Sequence, residues 1–285
     1  MKRKGICLLM VLLCMLLLCG CNPGGAKDGS WRQVSDAGVL KVGIYTNRFP
    51  MCTPMGSKCE GYDADLISVL SSRLGVNVIY VDIAQSGRTA EQLMKDGVID
   101  CAVGGIAYHS GLERNFLLSE SYLSDEHVIV LPQNSSIGNL ADMTGKTVSI
   151  AGSSVSMEAL RNAPLLKESF GQLNEYGNDV DALMQLTENN TDAVIVPRTV
   201  AEYFAANIQP VGFMKREDGT NETLGTMSYV ILLPRDSVSL MEKINETYET
   251  MKRDHVPQTL YNRWFVEKQH KNASADEAIA NNADN

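Results

Sequence analysis

Hydrophobic and polar positions along this chain fall into two repeating patterns that take turns. The run Val39-Leu40-Lys41-Val42-Gly43-Ile44 has the short apolar content of a strand. After a loop holding Pro50 and Pro54, Leu66, Ile67, Val69, Leu70 and Leu74 recur at helical spacing, with Asp63 placed as the cap and Gly75 as the stop. Residues 76–83 predict a second strand. Thr89 caps a short helix through Leu93 and Met94 that Gly97 breaks, and residues 98–103 predict a third strand. A second series follows residues 127–131: a strand at 145–150, a helix through Met157 and Leu160, a helix at 179–186, a strand at 192–196 and a helix at 198–206. The chain closes with a strand at 228–233, a helix at 238–251 with Leu240, Ile244 and Tyr248 on one face, and an aromatic end at 260–265. Strands alternating with helices at this interval predict parallel βαβ units, hence an α/β protein whose ligands collect at the C-terminal ends of strands. Elements that come after the second series require the chain to cross between two domains twice.

The stretch DCAVGGIAYHSGLERNFLLSESY, residues 100–122, carries the candidate chemistry. A strand ending in Gly104 and Gly105 lets a ligand approach the backbone, because no Cβ stands in the way. Arg114, just beyond, is placed to hold a carboxylate through two parallel hydrogen bonds. Gly152-Ser153-Ser154 ahead of a helix offers N–H groups and hydroxyls to an anion, or simply caps the helix.

The N-terminus adds a compartment. Met1-Lys2-Arg3-Lys4 followed by an apolar run from Ile6 to Leu18 reads as a secretory signal, too short for a comfortable membrane span. Leu18-Cys19-Gly20-Cys21 resembles the lipobox of bacterial lipoproteins, which makes Cys21 the lipidated first residue of the mature chain. Residues 21–35 read as a flexible tether and 269–285 as a disordered tail, with signal residues 1–20 removed. The full chain carries 25 Lys+Arg against 34 Asp+Glu, a net charge of -9, and the signal takes three basic residues with it. Such an acidic chain argues against nucleic acid as a partner. Cys52 and Cys59 flank a loop in an exported protein and are candidates for a local disulfide, whereas Cys101 lies in a strand pattern as a buried thiol. The four histidines are scattered, so no metal site and no cofactor are expected.

The motifs LKVGI, GYDADL, LMKDGVIDCAVGGI, LERNFLLSESY, LADMTGKTVSIAGSS, NTDAVIV and NRWF occur in an order that resembles the family 3 extracellular solute-binding proteins, the amino-acid-type receptors of ABC importers. The resemblance runs from about Gly38 to Phe265. It implies a periplasmic-binding-protein-like type II fold: lobe 1 from 36–122 and 228–268, lobe 2 from 126–224, and two hinge strands near 121–125 and 225–229. It also implies a monomer that traps a small solute between closing lobes and presents it to ABC permease and ATPase subunits. Arg114 matches the family arginine that holds the ligand carboxylate, Gly105 a backbone contact, and Ser153, with Ser154 beside it, the hydroxyl at the start of the second lobe's helix. Elsewhere the pattern departs. Pro197, followed by Arg198, stands where an acidic residue takes the ligand's ammonium; Tyr45 replaces an Asp, Arg48 an aromatic and Ala107 a Thr or Ser. The turn through Tyr108 to Gly111 is two residues longer.

An ammonium buried without a carboxylate partner costs several kcal/mol, so these departures argue against ordinary zwitterionic amino acids. Arg48 and Arg198 turned into the cleft favour an organic anion. Turned outward along apolar surface, they leave a less polar cleft suited to an uncharged or aromatic carboxylate. Tyr45 and Tyr108 fit either cleft walls or core. The expected function is an extracytoplasmic, membrane-anchored receptor for a carboxylate-bearing solute. The alternatives are a sensing or partner-binding lipoprotein without transport, and a cyclohexadienyl-dehydratase-like enzyme using an acid such as Glu120, Glu202 or His109.

Overall fold

The computed structural model describes residues 28–45, 48–55, 58–152 and 155–267. Two sheets organise it. In the first lobe, β1 (Val39–Ile44) buries Leu40, Val42 and Ile44 and is followed by a hairpin of β2 (Thr53–Met55) and β3 (Lys58–Glu60). A disulfide joins Cys52 to Cys59 across that hairpin, Cα atoms 6.0 Å apart. Helix Tyr62–Leu74 leads to β4 (Asn77–Asp82), and helix Ala90–Lys95, closed by a Thr89–Gln92 capping box, leads to β5 (Cys101–Val103). Both β4 and β5 pair with β1 in parallel, as the βαβ pattern predicts. The short β6 (Leu117–Leu118) completes the edge.

The second lobe begins with β7 (Leu123–Leu131) and continues through β8 (Thr147–Ala151), β9 (Gln172–Tyr176), β10 (Ala193–Pro197) and β11 (Gly212–Phe213). Strand β8 lies parallel to both β9 and β10, while β7 runs antiparallel to β10. Strand β12 (Thr223–Tyr229) pairs back along β7, and β13 (Leu232–Leu233) slots between β5 and β6 of the first sheet. The chain therefore crosses between the lobes twice, along β7 and along β12. Helix Val238–Arg253 and the C-terminal turns return to the first lobe's core, where Leu240, Ile244, Tyr248 and Phe265 are buried beside Leu66 and Leu70. Among the described residues no helix is long and apolar enough to cross a membrane.

Several elements differ from the sequence expectations for physical reasons. Residues 30–35, expected within the tether, instead belong to helix Ser30–Ala37, which packs on lobe 1: Val34 is buried, and the Asp28 carboxylate accepts hydrogen bonds from Ser239 N and Ser30 N at 2.7 and 3.0 Å. Asp63 does not cap its helix. Gly61 holds that position at φ 143°, where a Cβ would lie 2.2 Å from the Met51 carbonyl oxygen, and Asp63 turns into the core. The single strand expected at 228–233 is split, because the chain changes sheets there; Tyr108 N donates to Ser228 O and Val230 N to Ile106 O. Strand β9 escaped the pattern reading because it is a polar edge strand, QLNEY, with little buried surface.

Candidate functional site

Every parallel strand that ends at the gap between the lobes delivers part of the site. Just past β1 stand Arg48, Phe49 and Met51; past β5 stands Gly105; past β9 come Gly177 to Asp181; β10 ends on Pro197, and Tyr229 comes from the hinge. Together with Thr53, Val155 and Val200 they enclose a cavity of about 540 Å³, of the size that holds small metabolites. A second cavity of about 750 Å³ meets it at Val155. Its walls include Ala107, Tyr108 and His109 of lobe 1, Gly152, Glu158 and Arg161 of lobe 2, and Thr226 of the hinge strand.

Asp63 sets the floor. Its Oδ2 accepts hydrogen bonds from Gly105 N at 2.7 Å and Tyr122 OH at 3.0 Å, which pins the glycine turn from beneath. Burial pushes this carboxyl up from 3.8 to about 6, against the pull of its donors. Gly105 sits at φ 59°, and a Cβ there would press within 3.2 Å of the Met51 side chain and 3.8 Å of the Arg48 side chain. The bare backbone thus fits the left-handed turn and the close Met51 side chain without strain. Asp65, two residues on, accepts from Trp264 Nε1 at 2.8 Å and pairs with Arg263 at 3.2 Å, so GYDADL ties the cleft floor and the C-terminal NRWF to one helix.

The hinge has its own buried acid. Asp125, on β7, accepts from Thr199 Oγ1 at 2.6 Å, Thr199 N at 3.3 Å and Tyr229 OH at 3.4 Å. It therefore joins both crossing strands to the head of helix Arg198–Asn207. Burial raises its pKa despite these donors and the nearby Arg198. His127, on the wall of the second cavity, is held neutral by burial, which lowers it to about 4, and its Nδ1 lies 3.2 Å from Ser156 Oγ.

The expected site residues divide sharply. Arg48, Gly105 and Pro197 line the first cavity, and Ala107 and Tyr108 the second. Arg114 lines neither. It ends the exposed 3-10 turn Leu112–Arg114, held outside by two bonds: Tyr108 OH donates to Glu113 Oε1 at 2.8 Å, and Arg235 Nη1 donates to the Arg114 carbonyl at 2.5 Å. Arg198 does not face the cavity either: it pairs with Glu126 at 3.5 Å and Glu202 at 3.1 Å and lies over the Tyr261 ring at 5.6 Å. Tyr45 packs among Ile83, Leu93 and Ile99 and lines neither cavity. Ser153, Ser154 and Cys21 lie outside the described residues.

Asp179 went unread in the sequence. It opens helix Asp179–Thr187 on the wall of the first cavity, and its Oδ1 is buried without a hydrogen-bond partner. Burial raises it from 3.8 to about 6; the Arg48 guanidinium counters this and Asp125 adds to it. Recognising β9 would have exposed it, since any polar residue just past a parallel strand is a ligand candidate.

Two α/β lobes joined by two crossing strands, with a cavity at the strand ends between them, define a two-lobed solute receptor. The chain belongs to the bacterial extracellular solute-binding proteins, family 3, whose profile matches residues 40–267. It is 24% identical over 264 residues to the arginine-binding extracellular protein ArtP of Bacillus subtilis, covering 91% of this chain and 97% of the relative. A probable histidine-binding protein of Campylobacter jejuni is 23% identical, covering 76% and 83% of the two chains. Among solved structures, an ancestral cationic amino acid solute binding protein, AncCDT-1, superposes with a TM-score of 0.72 at 20% identity, over 83% of this chain and 99% of the other.

Proposed function

We propose that this protein is the membrane-tethered receptor of an ABC importer, lipidated at Cys21, and that it captures a small carboxylate-bearing solute of amino-acid type between its lobes. The observation that carries this reading is Arg48, a guanidinium on the first lobe's side of a 540 Å³ cavity bounded by both lobes, whose walls combine apolar Phe49, Met51, Val155, Pro197 and Val200 with Asp179 and Asp181 of the second lobe. Arginine suits this task because its planar fork matches a carboxylate and it carries its charge at every physiological pH. The carboxylate anchor therefore moves from Arg114 to Arg48. Relatives described as binding arginine and histidine support an amino-acid-type ligand.

A thermal-shift screen of carboxylates tests the assignment. A ligand at a hundredfold excess over its Kd adds about 2.7 kcal/mol of stability. That response is expected to vanish in Arg48→Ala and persist in Arg114→Ala; the opposite result returns the anchor to Arg114. Turnover of prephenate would overturn the receptor reading in favour of the dehydratase.

A further inference from the structure

We propose that Asp179 receives the ammonium group of the bound solute, so that the ligand is a zwitterion held by Arg48 of one lobe and Asp179 of the other. This rests on the receptor reading above and narrows its ligand class. In the family pattern an acidic residue at the end of β10 takes the ammonium; here that position is Pro197, which has no charge to offer. The cavity nevertheless holds a carboxylate, displaced to the head of the neighbouring helix.

The state of Asp179 points to a missing cation. Its Oδ1 is buried and unpartnered, a costly arrangement for a carboxylate unless something charged completes it. Helix capping does not account for it. Asn178 does the capping, its side-chain oxygen accepting from Asp181 N at 2.8 Å, and the Asn178 amide also occupies the Asp181 carboxylate at 2.8 Å. Asp179 is left to face the cavity. The charged and titratable groups around it are Arg48 from lobe 1, Asp125 and Tyr229 from the hinge strands, and Asp181 on its own helix. Arg198, the other nearby cation, is already neutralised by Glu126 and Glu202. A ligand ammonium beside Asp179 with its carboxylate on Arg48 satisfies both side chains at once and links the two lobes through one molecule.

Calorimetric titration of the purified protein tests this with L-amino acids, each matched to its deaminated acid and its decarboxylated amine. The binding amino acid is expected to lose about 100-fold in affinity when the amine is removed. Asp179→Asn is expected to bring the amino acid down to the level of the deaminated acid, while Arg48→Ala brings it down to the level of the amine. Affinity of the natural protein is further expected to fall about tenfold per pH unit below about pH 6, with release of one proton on binding, and this dependence disappears in Asp179→Asn. A melting temperature of Asp179→Asn no lower than that of the natural protein certifies its fold. A deaminated acid binding as tightly as the amino acid, or undiminished amino-acid binding by Asp179→Asn, overturns the ammonium site and leaves the carboxylate receptor standing. Failure to bind any carboxylate defeats both.

Discussion

At the scale of single residues, charge in the cleft is governed by what each side chain can reach. Arg198 was read with two possible orientations, and the structure turns it outward onto Glu126, Glu202 and Tyr261. Arg114, the anchor expected from the resemblance, is exposed on its turn, and Arg48, expected as a departure from the family, stands in the cavity. Pro197 offers no charge at the end of β10, while Asp179 brings a carboxylate to the same cavity from the end of β9. Asp179 also leaves a mark on stability. Its folded-state pKa of about 6 lies above the ordinary 3.8. Between those values the unfolded chain releases a proton that the folded chain keeps, so stability from this group is full at low pH and drains as pH rises through about 4 to 6. Asp179→Asn is therefore expected to stabilise the empty protein by roughly 1–2 kcal/mol near pH 7 and not near pH 4, measured by urea unfolding. No gain at pH 7 would mean that the carboxylate already has its partner, and an identical gain at both pH values would mean that its ionisation is not the source.

Among the elements, those with strong periodicity or clear punctuation were readable: β1, the helix after GYDADL, the Thr89-capped helix, and helix Val238–Arg253 with its buried Leu240, Ile244 and Tyr248. Elements whose identity depends on a distant partner were not. The β2–β3 hairpin is short and irregular, and β9 pairs with β8 although its own residues are mostly polar. Helix Arg198–Asn207 was readable as a helix but not as part of the hinge. Its Thr199 hydroxyl and N–H both serve Asp125, 74 positions away. Replacing that hydroxyl by a methyl leaves a buried carboxylate short of a donor. Thr199→Val is expected to lower unfolding free energy by about 1–3 kcal/mol, seen as a reduced denaturation midpoint. A neutral outcome would show that Tyr229 and the backbone donors suffice.

For the whole molecule, the two lobes meet through packed aromatic rings as well as through the crossing strands. Tyr229, on the cavity wall, stacks 6.3 Å from Tyr122, Tyr122 lies 6.5 Å from Tyr62, and Phe265 lies 5.3 Å from Tyr62 and 5.0 Å from Tyr261. Tyr261 then meets Arg198 of the other lobe, and Phe49 packs edge-on against Tyr203 at 4.6 Å. A ligand that engages Arg48 and Asp179 together, as proposed, is expected to draw these lobes toward each other. Small-angle scattering is expected to give a smaller radius of gyration at ligand saturation than without ligand, and an unchanged curve would exclude closure. The amino-acid sequence by itself determined the α/β class, the two-lobed order and the family, because periodicity, glycine stops and motif order are local properties. Which charges face the cavity was decided only by tertiary structure. A guanidinium on a long stem goes wherever carboxylates, rings and solvent best satisfy it, and those partners lie tens to hundreds of residues away.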